Sequence, residues 1–278
     1  MINTIGIIGG SGQMGAMFGR EFKRLGKEVL ISDVDSIQME KNLVAQSDLI
    51  IVSVPIDESS KVVKRISPWL RGNQLLSDFC SVKSKIIPSM LETEAAVISS
   101  HPMFGSMPDI SKQNIVLLPV RGKKFLSKCQ RLYQDLGLNV VVIDDWKKHD
   151  VSMSFIQGLM HFFHIVFTQT LKSKEVDLET LLSICSPVYQ ANFAFPCRIL
   201  QRDPHLYTHI LMDNPENVVV LKSFIDQAQE SLKLIQKKDE STFMENFVSY
   251  RDYLGNFGEI FSNQSDFLID KIKEYSPS

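Results

Sequence analysis

The feature that most constrains this chain is a glycine-rich motif directly after an apolar N-terminal run. The run 4–8 leads into G-x-G-x-x-G at Gly10, Gly12 and Gly15, and a helix-like stretch follows. A second β-rich run, 28–32, ends at Asp33. This order of strand, glycine turn, helix, strand and acid predicts a dinucleotide-binding βαβ unit. The alternative is a glycine-rich turn in an α/β protein that binds no nucleotide.

Each part of the motif has an expected role. Gly10 is expected to permit the tight turn, Gly12 to let the backbone approach a pyrophosphate, and Gly15 to let the helix pack against the strand. The helix N-terminus offers N–H groups to the phosphates. The predicted cofactor-binding residues are Gly10, Ser11, Gly12, Gln13, Met14, Gly15, Asp33, Val54 and Pro55.

Asp33 also favours one cofactor. A carboxylate at the end of the second strand accepts hydrogen bonds from the ribose hydroxyls of NAD and repels the extra phosphate of NADP. The next residues, Val34-Asp35-Ser36, supply no basic side chain to hold that phosphate. The sequence therefore predicts NAD.

Composition excludes some classes of protein. Hydrophobic residues make up 44% of the 278, and 30 basic against 32 acidic residues give a net charge of −2. This balance is ordinary for a globular protein and does not indicate a nucleic-acid or membrane-surface binder. The four cysteines have no paired spacing, and the N-terminus leads directly into a strand. We expect a reduced, cytoplasmic protein.

The chain has two halves with different patterns. Residues 1–145 alternate short β-rich runs with helical stretches, which predicts a Rossmann-type, doubly wound, mostly parallel α/β domain. Residues 146–278 contain no β-rich run and predict an all-helical domain for substrate binding and dimerisation. The predicted strands are 4–8, 28–32, 49–54, 74–77, 96–99, 114–118 and 138–143, and the predicted later helices are 177–184, 188–201, 215–237 and 241–273.

One segment approaches the length of a membrane span. Residues 153–171 contain no Asp, Glu, Lys or Arg, but they include Gln157, His161, His164 and Gln169. We interpret the segment as a buried helix at the centre of the helical domain, where a subunit interface is one place for it.

Three strand ends carry the candidate chemistry. Ser99-Ser100-His101-Pro102 follows the fifth predicted strand, Asp78 to Ser84 follows the fourth, and Val54-Pro55 ends the third. Ligands of open α/β sheets bind beyond these carboxyl ends. A dehydrogenase must take a hydroxyl proton as hydride leaves, and histidine suits that role because its pKa lies near neutrality. We expect His101 to be the base and Ser81 to orient it, whereas the alternative is a strand-end histidine bonded to backbone.

A set of motifs in fixed order resembles the prephenate dehydrogenase family. The motifs are GGSGQMG, VSVPI, SVK, HPMFG, H-D-x-x-M-x-F-I-Q-x-L-x-H-F at 149–162 and S-P-x-Y at 186–189. The resemblance covers nearly the whole chain and is strongest to the dehydrogenase part of the enterobacterial enzymes that also carry a chorismate mutase. It leaves open whether such a module accompanies this chain.

The resemblance implies NAD-dependent oxidative decarboxylation of prephenate to 4-hydroxyphenylpyruvate in tyrosine biosynthesis. It implies substrate-binding roles for Arg198 and His161, with Arg202 and His164 as nearby competitors. His149 matches another family position with a less defined role. Lys83 is expected either to contact substrate or to stabilise its loop. The resemblance also implies a homodimer and a tyrosine effector.

This chain departs from the family at Gln190, where enterobacterial relatives have Arg. His205 and His209 could share a helix face, but no carboxylate or cysteine of suitable spacing completes a metal site, so we predict no metal.

The competing functions are arogenate dehydrogenase, a β-hydroxyacid dehydrogenase and a non-catalytic dinucleotide sensor. His101, Ser81 and Arg198 together argue against the sensor, which needs only the cofactor half.

Overall fold

A computed structural model describes residues 2–33 and 36–274 of the chain. It divides into two compact units. The first contains residues up to Ser154 together with His205–Glu216, and the second contains Phe155–Pro204 and the residues from Asn217 onward. The first unit thus extends past residue 145 and takes in a helix from late in the chain.

The first unit is built on a seven-stranded sheet of order β2-β1-β3-β4-β5-β6-β7. All neighbouring strands are parallel except β5 and β6, which are antiparallel. The mostly parallel, doubly wound sheet is therefore confirmed. The strands are β1 Thr4–Ile8, β2 Glu28–Ser32, β3 Leu49–Val52, β4 Leu75–Asp78, β5 Ala96–Pro102, β6 Asn114–Arg121 and β7 Asn139–Val142.

Alternate residues of the central strands face two separate cores. Ile5 and Ile7 of β1 belong to one buried cluster and Ile8 to the other, and the strands β3 and β4 divide in the same way. Burial on both faces explains the near-continuous apolar runs of the sequence. The helices of the first half are α1 Gln13–Arg24, α2 Ile37–Gln46, α3 Ile56–Ile66, α4 Lys83–Leu91 and α5 Leu126–Asp135.

The end of β5 differs from the prediction. The strand was expected to stop at Ser99, but it continues through His101 to Pro102. The extension is held by antiparallel pairing with β6, in which His101 lies opposite Val116. Residue patterns along β5 could not predict this pairing, because the strands are brought together only in the folded sheet. His101 is consequently a buried strand residue.

The later helices are α6 Trp146–Met153, α7 Met160–Ser173, α8 Leu178–Ser183, α9 Pro187–Leu200, α10 Pro204–Asp213, α11 Glu216–Lys237, α12 Glu240–Leu254 and α13 Asn256–Glu274. A π-helical segment, Ser154–Leu159, joins α6 to α7. The prediction of one helix over 241–273 was wrong, because Gly255 has a positive φ of 51° and separates α12 from α13. Helix α10 was not predicted.

The continuous helical stretch Trp146–Ser173 is long enough and apolar enough to cross a membrane, judged by length and composition alone. This is weak evidence for a span, because core helices of globular proteins pass the same test. Only 22% of its most apolar window is buried in the single chain, so the predicted burial is not seen within the chain, and burial at a subunit interface stays a prediction. Phe155, Ile156, Met160 and Phe163 are exposed in the single chain.

Candidate active site

The glycine-rich loop begins one residue earlier than the motif suggested. Gly9 has a φ of +83°, and its N–H donates to Ser32 O at 2.8 Å. Gly9 therefore makes the tight turn that was predicted for Gly10. Gly10 is needed for packing instead, because a Cβ there would lie 2.4 Å from Ile31 Cγ2.

Helix α1 starts close against this turn. Its N-cap is Gly12, which provides no side-chain hydrogen bond to the first turn. Unsatisfied N–H groups of a first turn suit a phosphate. A Cβ at Gly15 would lie 2.5 Å from Gly9 O, so the close helix–strand approach expected of Gly15 is present. Ser11, Gly12 and Gln13 are exposed at the mouth of this loop.

Asp33 follows β2 and contacts the same loop. Its carboxylate accepts hydrogen bonds from Ser11 N at 3.1 Å and from Ser11 Oγ. A carboxylate has about four lone-pair sites, so these bonds leave acceptor capacity for ribose hydroxyls. Val34 and Asp35, which entered the argument against NADP, lie outside the described residues.

The loop after β3 completes the candidate cofactor site. Ser53 N donates to Ile8 O at 2.8 Å, and a Cβ at Gly9 would lie 2.9 Å from Val54 Cγ1. Pro55 is the N-cap residue of α3. The first three strands of the sheet thus bring together N–H groups, a carboxylate and an apolar side chain. These residues fit a dinucleotide with an unphosphorylated ribose.

A buried polar network joins the ends of β4 and β5. The strands pair in register only at Leu75 with Ala96 and Leu76 with Val97. Beyond that point Asp78 Oδ1 accepts from Lys83 Nζ at 2.7 Å, and Lys83 Nζ also donates to Ser100 O at 2.7 Å. Side chains therefore replace the backbone ladder beside His101. Ser99 Oγ and Ser100 Oγ add bonds to the Asp78 carboxylate and carbonyl, at 2.5 and 2.6 Å.

These contacts bear on the two roles expected for Lys83. Its side chain is 0% exposed and paired with an equally buried Asp78. An ammonium with no exposed surface suits loop stabilisation rather than contact with substrate. The structure therefore favours the second role.

Three side chains form a hydrogen-bonded chain that ends at His101. Asp150 Oδ1 lies 2.9 Å from His149 Nδ1, and His149 Nε2 lies 2.9 Å from His101 Nδ1. All three are at most 1% exposed. The carboxylate also accepts from the backbone N–H groups of Lys83 at 2.9 Å and Ser84 at 2.7 Å, so it caps the N-terminus of α4. We call Asp150–His149–His101 the relay.

The relay fixes both histidine tautomers. An ionised carboxylate only accepts hydrogen bonds, so His149 must carry its proton on Nδ1. Neutral His149 then presents a lone pair at Nε2, and His101 must donate from Nδ1. The remaining nitrogen of His101 is Nε2, and it consequently holds a lone pair. A general base accepts a proton through such a lone pair.

The electrostatics keep this base neutral. Burial, then His149 and the Lys83 ammonium, hold the pKa of His101 well below its usual value. Burial also lowers the pKa of His149, although Asp150 opposes the change. Burial opposes ionisation of Asp150 most, yet hydrogen bonds from His149, Ser84 and Lys83 leave its pKa below the usual value. At neutral pH the relay is therefore a carboxylate with two neutral imidazoles.

The relay revises the sequence interpretation of two residues. We expected Ser81 to orient His101, but it is His149 Nε2 that accepts the hydrogen bond from His101 Nδ1. Sequence reasoning missed Asp150 altogether. The signal was present, since His149 and Asp150 are adjacent in the recognised H-D motif, but adjacency alone does not show that the carboxylate bonds the imidazole.

The second unit carries the other predicted substrate residues on two packed helices. Helices α7 and α9 meet through Phe167 and Phe193, whose ring centroids lie 5.4 Å apart. Burial, then His164, lower the pKa of His161 on α7 to about 4. Arg198 is exposed in the last turn of α9, and none of the described carboxylates lies within ion-pair distance of it. The salt-bridged alternative is therefore not seen.

The metal prediction rested on sequence spacing alone. We argued that no carboxylate or cysteine of suitable spacing completes the pair His205 and His209, whereas in the fold Asp57 of α3 lies beside both. The sequence could not reveal this, because Asp57 and α10 are adjacent only in the fold.

The fold and site define a dinucleotide-dependent dehydrogenase of the two-domain type. Residues 21–142 match the nucleotide-binding domain model of prephenate dehydrogenase, and residues 145–249 match its dimerization domain model. Together with the relatives below, these matches show that the chain belongs to the prephenate dehydrogenase family. It is an oxidoreductase whose first domain binds a nucleotide and has the residues that fit NAD.

Curated relatives and solved structures agree with this family. The T-protein of Haemophilus influenzae is 31% identical over 98% of this chain and 73% of that protein. A probable arogenate/prephenate dehydrogenase of Methanocaldococcus jannaschii is 31% identical over 96% of this chain and 65% of that protein. The fold resembles the prephenate dehydrogenase of Aquifex aeolicus solved with hydroxyphenyl propionate and NAD+, at a TM-score of 0.74 and 20% identity, covering 91% of this chain and 97% of that chain.

The glycine geometry predicts opposite effects for two substitutions in α1. Gly15→Ala would place a methyl group 2.5 Å from Gly9 O, so we expect a loss of about 1–3 kcal/mol in the free energy of unfolding and weaker NAD binding. Gly19→Ala is the matched control, because its Cβ would meet its neighbours at 3.7 Å. It should be neutral or stabilise by up to about 1 kcal/mol. Urea unfolding and NAD titration measure both, and equal effects would contradict the packing argument.

Proposed function

We propose that the protein catalyses the NAD-dependent oxidative decarboxylation of prephenate to 4-hydroxyphenylpyruvate. The observation that carries the proposal is the relay, because it supplies a neutral imidazole base within the same sheet that carries the dinucleotide loop. Membership of the prephenate dehydrogenase family supports the reaction class, and the relatives' names support the substrate.

The reaction needs a hydride acceptor, a base and a binding group for carboxylates. NAD, when bound, accepts the hydride from the carbinol carbon of the ring. His101 Nε2 takes the hydroxyl proton, and the imidazolium that forms is stabilised through His149 by the Asp150 carboxylate. Loss of the ring carboxylate as carbon dioxide then leaves an aromatic phenolate, which takes the proton back from His101 to give 4-hydroxyphenylpyruvate. Formation of the aromatic ring drives the reaction forward.

Arg198 is the proposed group for the side-chain carboxylate of the substrate. A guanidinium binds a carboxylate through two parallel hydrogen bonds, and Arg198 is exposed and has no ion-pair partner among the described residues. His161, on the helix packed against α9, is the second proposed substrate residue. Its lowered pKa keeps it neutral, so it can donate or accept a hydrogen bond without adding charge. Ser81 and His149 are the remaining residues proposed to serve the reaction.

We propose that the active form is a homodimer. Residues 145–249 match a dimerization domain model, and the long helices of the second unit expose many large apolar side chains in the single chain. Among them are Leu232, Ile235, Phe243, Met244 and Phe247. A cytoplasmic location and inhibition by tyrosine are further expectations, and Gln190 on α9 is where this chain departs from its enterobacterial relatives.

A panel of substrates tests the proposed function. We expect prephenate with NAD to give the highest kcat/KM, with arogenate lower because its ammonium replaces the planar keto group. The probable arogenate/prephenate relative makes arogenate the second candidate. NADP should be used poorly, since Asp33 would face its extra phosphate. Steady-state assays of prephenate, arogenate and a simple 3-hydroxyacid with each cofactor separate the alternatives, and preference for the 3-hydroxyacid would refute the proposal.

Two substitutions test the relay. His101→Asn should lower turnover by roughly 10²–10⁴-fold while NAD affinity is retained. Asp150→Asn should have a similar effect, because it removes the negative charge that stabilises the imidazolium formed in the relay. Wild-type kcat/KM should stay level from pH 8 down to about 6.5, because the pKa of His101 lies well below that value.

Asp145→Asn is the control for the relay, because Asp145 is a half-buried carboxylate that caps α6 at Lys147 N, 2.9 Å away, and its side chain takes no part in the hydrogen bonds of the relay. It should leave turnover nearly unchanged. Ring-nitrogen NMR reports the histidine tautomers directly. Normal turnover in Asp150→Asn, with its melting temperature unchanged, would remove the relay from the mechanism.

Arg198→Gln should raise the KM for prephenate by roughly 10–100-fold with little change in kcat. A charge-assisted hydrogen bond is worth about 1.5–3 kcal/mol, and binding that is equal in the ground and transition states acts on KM. Arg202→Gln, four residues further along the chain, is the matched control. A larger KM effect at Arg202 than at Arg198 would transfer the role to Arg202.

A further inference from the structure

Two histidines and a carboxylate meet on the surface of the first unit, and none of the three has an assigned role in the reaction. His205 and His209 lie four residues apart on α10, so one helix turn brings their rings together, with centroids 4.4 Å apart. Asp57, in the first turn of α3, lies opposite. Its Oδ2 is 3.6 Å from His205 Nε2 and 3.8 Å from His209 Nε2.

These separations are too long for direct hydrogen bonds but suit three ligands of one ion. A contact of 3.6 Å is outside hydrogen-bond range. One ligand atom from each side chain lies within 4.8 Å of the other two. Tetrahedral zinc, with bonds of about 2.0–2.2 Å, holds its ligand atoms about 3.3 Å apart, so small side-chain rotations would close the cluster. Partial exposure of all three side chains leaves room for water in the open coordination position.

Two further contacts resemble the surroundings of a metal site. His209 Nδ1 lies 2.9 Å from Asp213 Oδ2, an arrangement that directs Nε2 toward Asp57 and raises its basicity. Asp213 is itself held by Lys85 Nζ at 3.1 Å. Asp57 Oδ1 is buried and has no hydrogen-bond partner within 2–33 and 36–274. An orphaned carboxylate oxygen is costly unless a ligand satisfies it.

We propose that Asp57, His205 and His209 bind one divalent transition-metal ion of the zinc class. Two imidazole nitrogens and one carboxylate oxygen suit zinc, cobalt or nickel better than magnesium or calcium, which prefer oxygen ligands. The ion would join the start of α3 to α10, a helix whose flanking helices belong to the second unit. Its role is structural, and the proposal does not depend on the proposed reaction.

Metal titration of the full chain tests the proposal. After treatment with EDTA, the protein should bind one Zn²⁺ per chain, and its melting temperature should rise with Zn²⁺ and return with EDTA. Co²⁺ should give the visible absorption of a nitrogen- and oxygen-liganded site. His209→Gln and Asp57→Asn should weaken Zn²⁺ binding more than Asp213→Asn, whose expected loss is about 10–100-fold.

Glu58→Gln is the matched control, because Glu58 is next to Asp57 but is paired with Lys61 at 2.6 Å. It should leave the Zn²⁺ affinity within about twofold. Cys197 is exposed and offers a competing ligand, so a Co²⁺ spectrum with thiolate charge-transfer bands would overturn the proposal. Unchanged affinity in Asp57→Asn and His209→Gln, with both variants folded, would overturn it as well.

Discussion

The candidate active site depends on the hydrogen bonds that the carboxylate of Asp150 accepts. The carboxylate accepts hydrogen bonds from two backbone N–H groups at the start of α4 and from the imidazole N–H of His149. The helix terminus keeps it ionised, and its charge sets the proton positions of both histidines. Without it, α4 would lose its cap and no charge would fix the lone pair of His101 at Nε2. One buried group therefore links the stability of the first unit to its proposed chemistry.

The buried charge pair of Asp78 and Lys83 determines where His101 lies. Burying Asp78 and Lys83 costs more free energy than their attraction returns unless every remaining donor and acceptor is satisfied. Here Ser99, Ser100 and the Cys80 N–H supply those partners. The network replaces backbone pairing where β4 and β5 separate, so β5 can follow β6 and present His101. The same ammonium helps to keep His101 neutral.

Much of the fold could be predicted from residue patterns. All seven strands were identified, because buried parallel strands produce apolar runs and glycine turns that local sequence records. The dinucleotide loop was identified for the same reason, although Gly9 rather than Gly10 adopts the positive φ. The sequence predicted His101 and His149 as site residues. It did not predict the carboxylate that orients them, nor the exposure of the stretch Trp146–Ser173, because these depend on which elements pack together.

The sequence by itself determined the order of elements, the glycine turn, the acid at Asp33 and the motifs that identify the family, because each is a local or ordered pattern. The tertiary structure alone decided the hydrogen bond between His149 and His101, the burial of Lys83 and the meeting of Asp57 with His205 and His209. Those contacts join residues from 5 to about 150 positions apart. Proximity over such separations arises from strand pairing and helix packing, which no local pattern encodes.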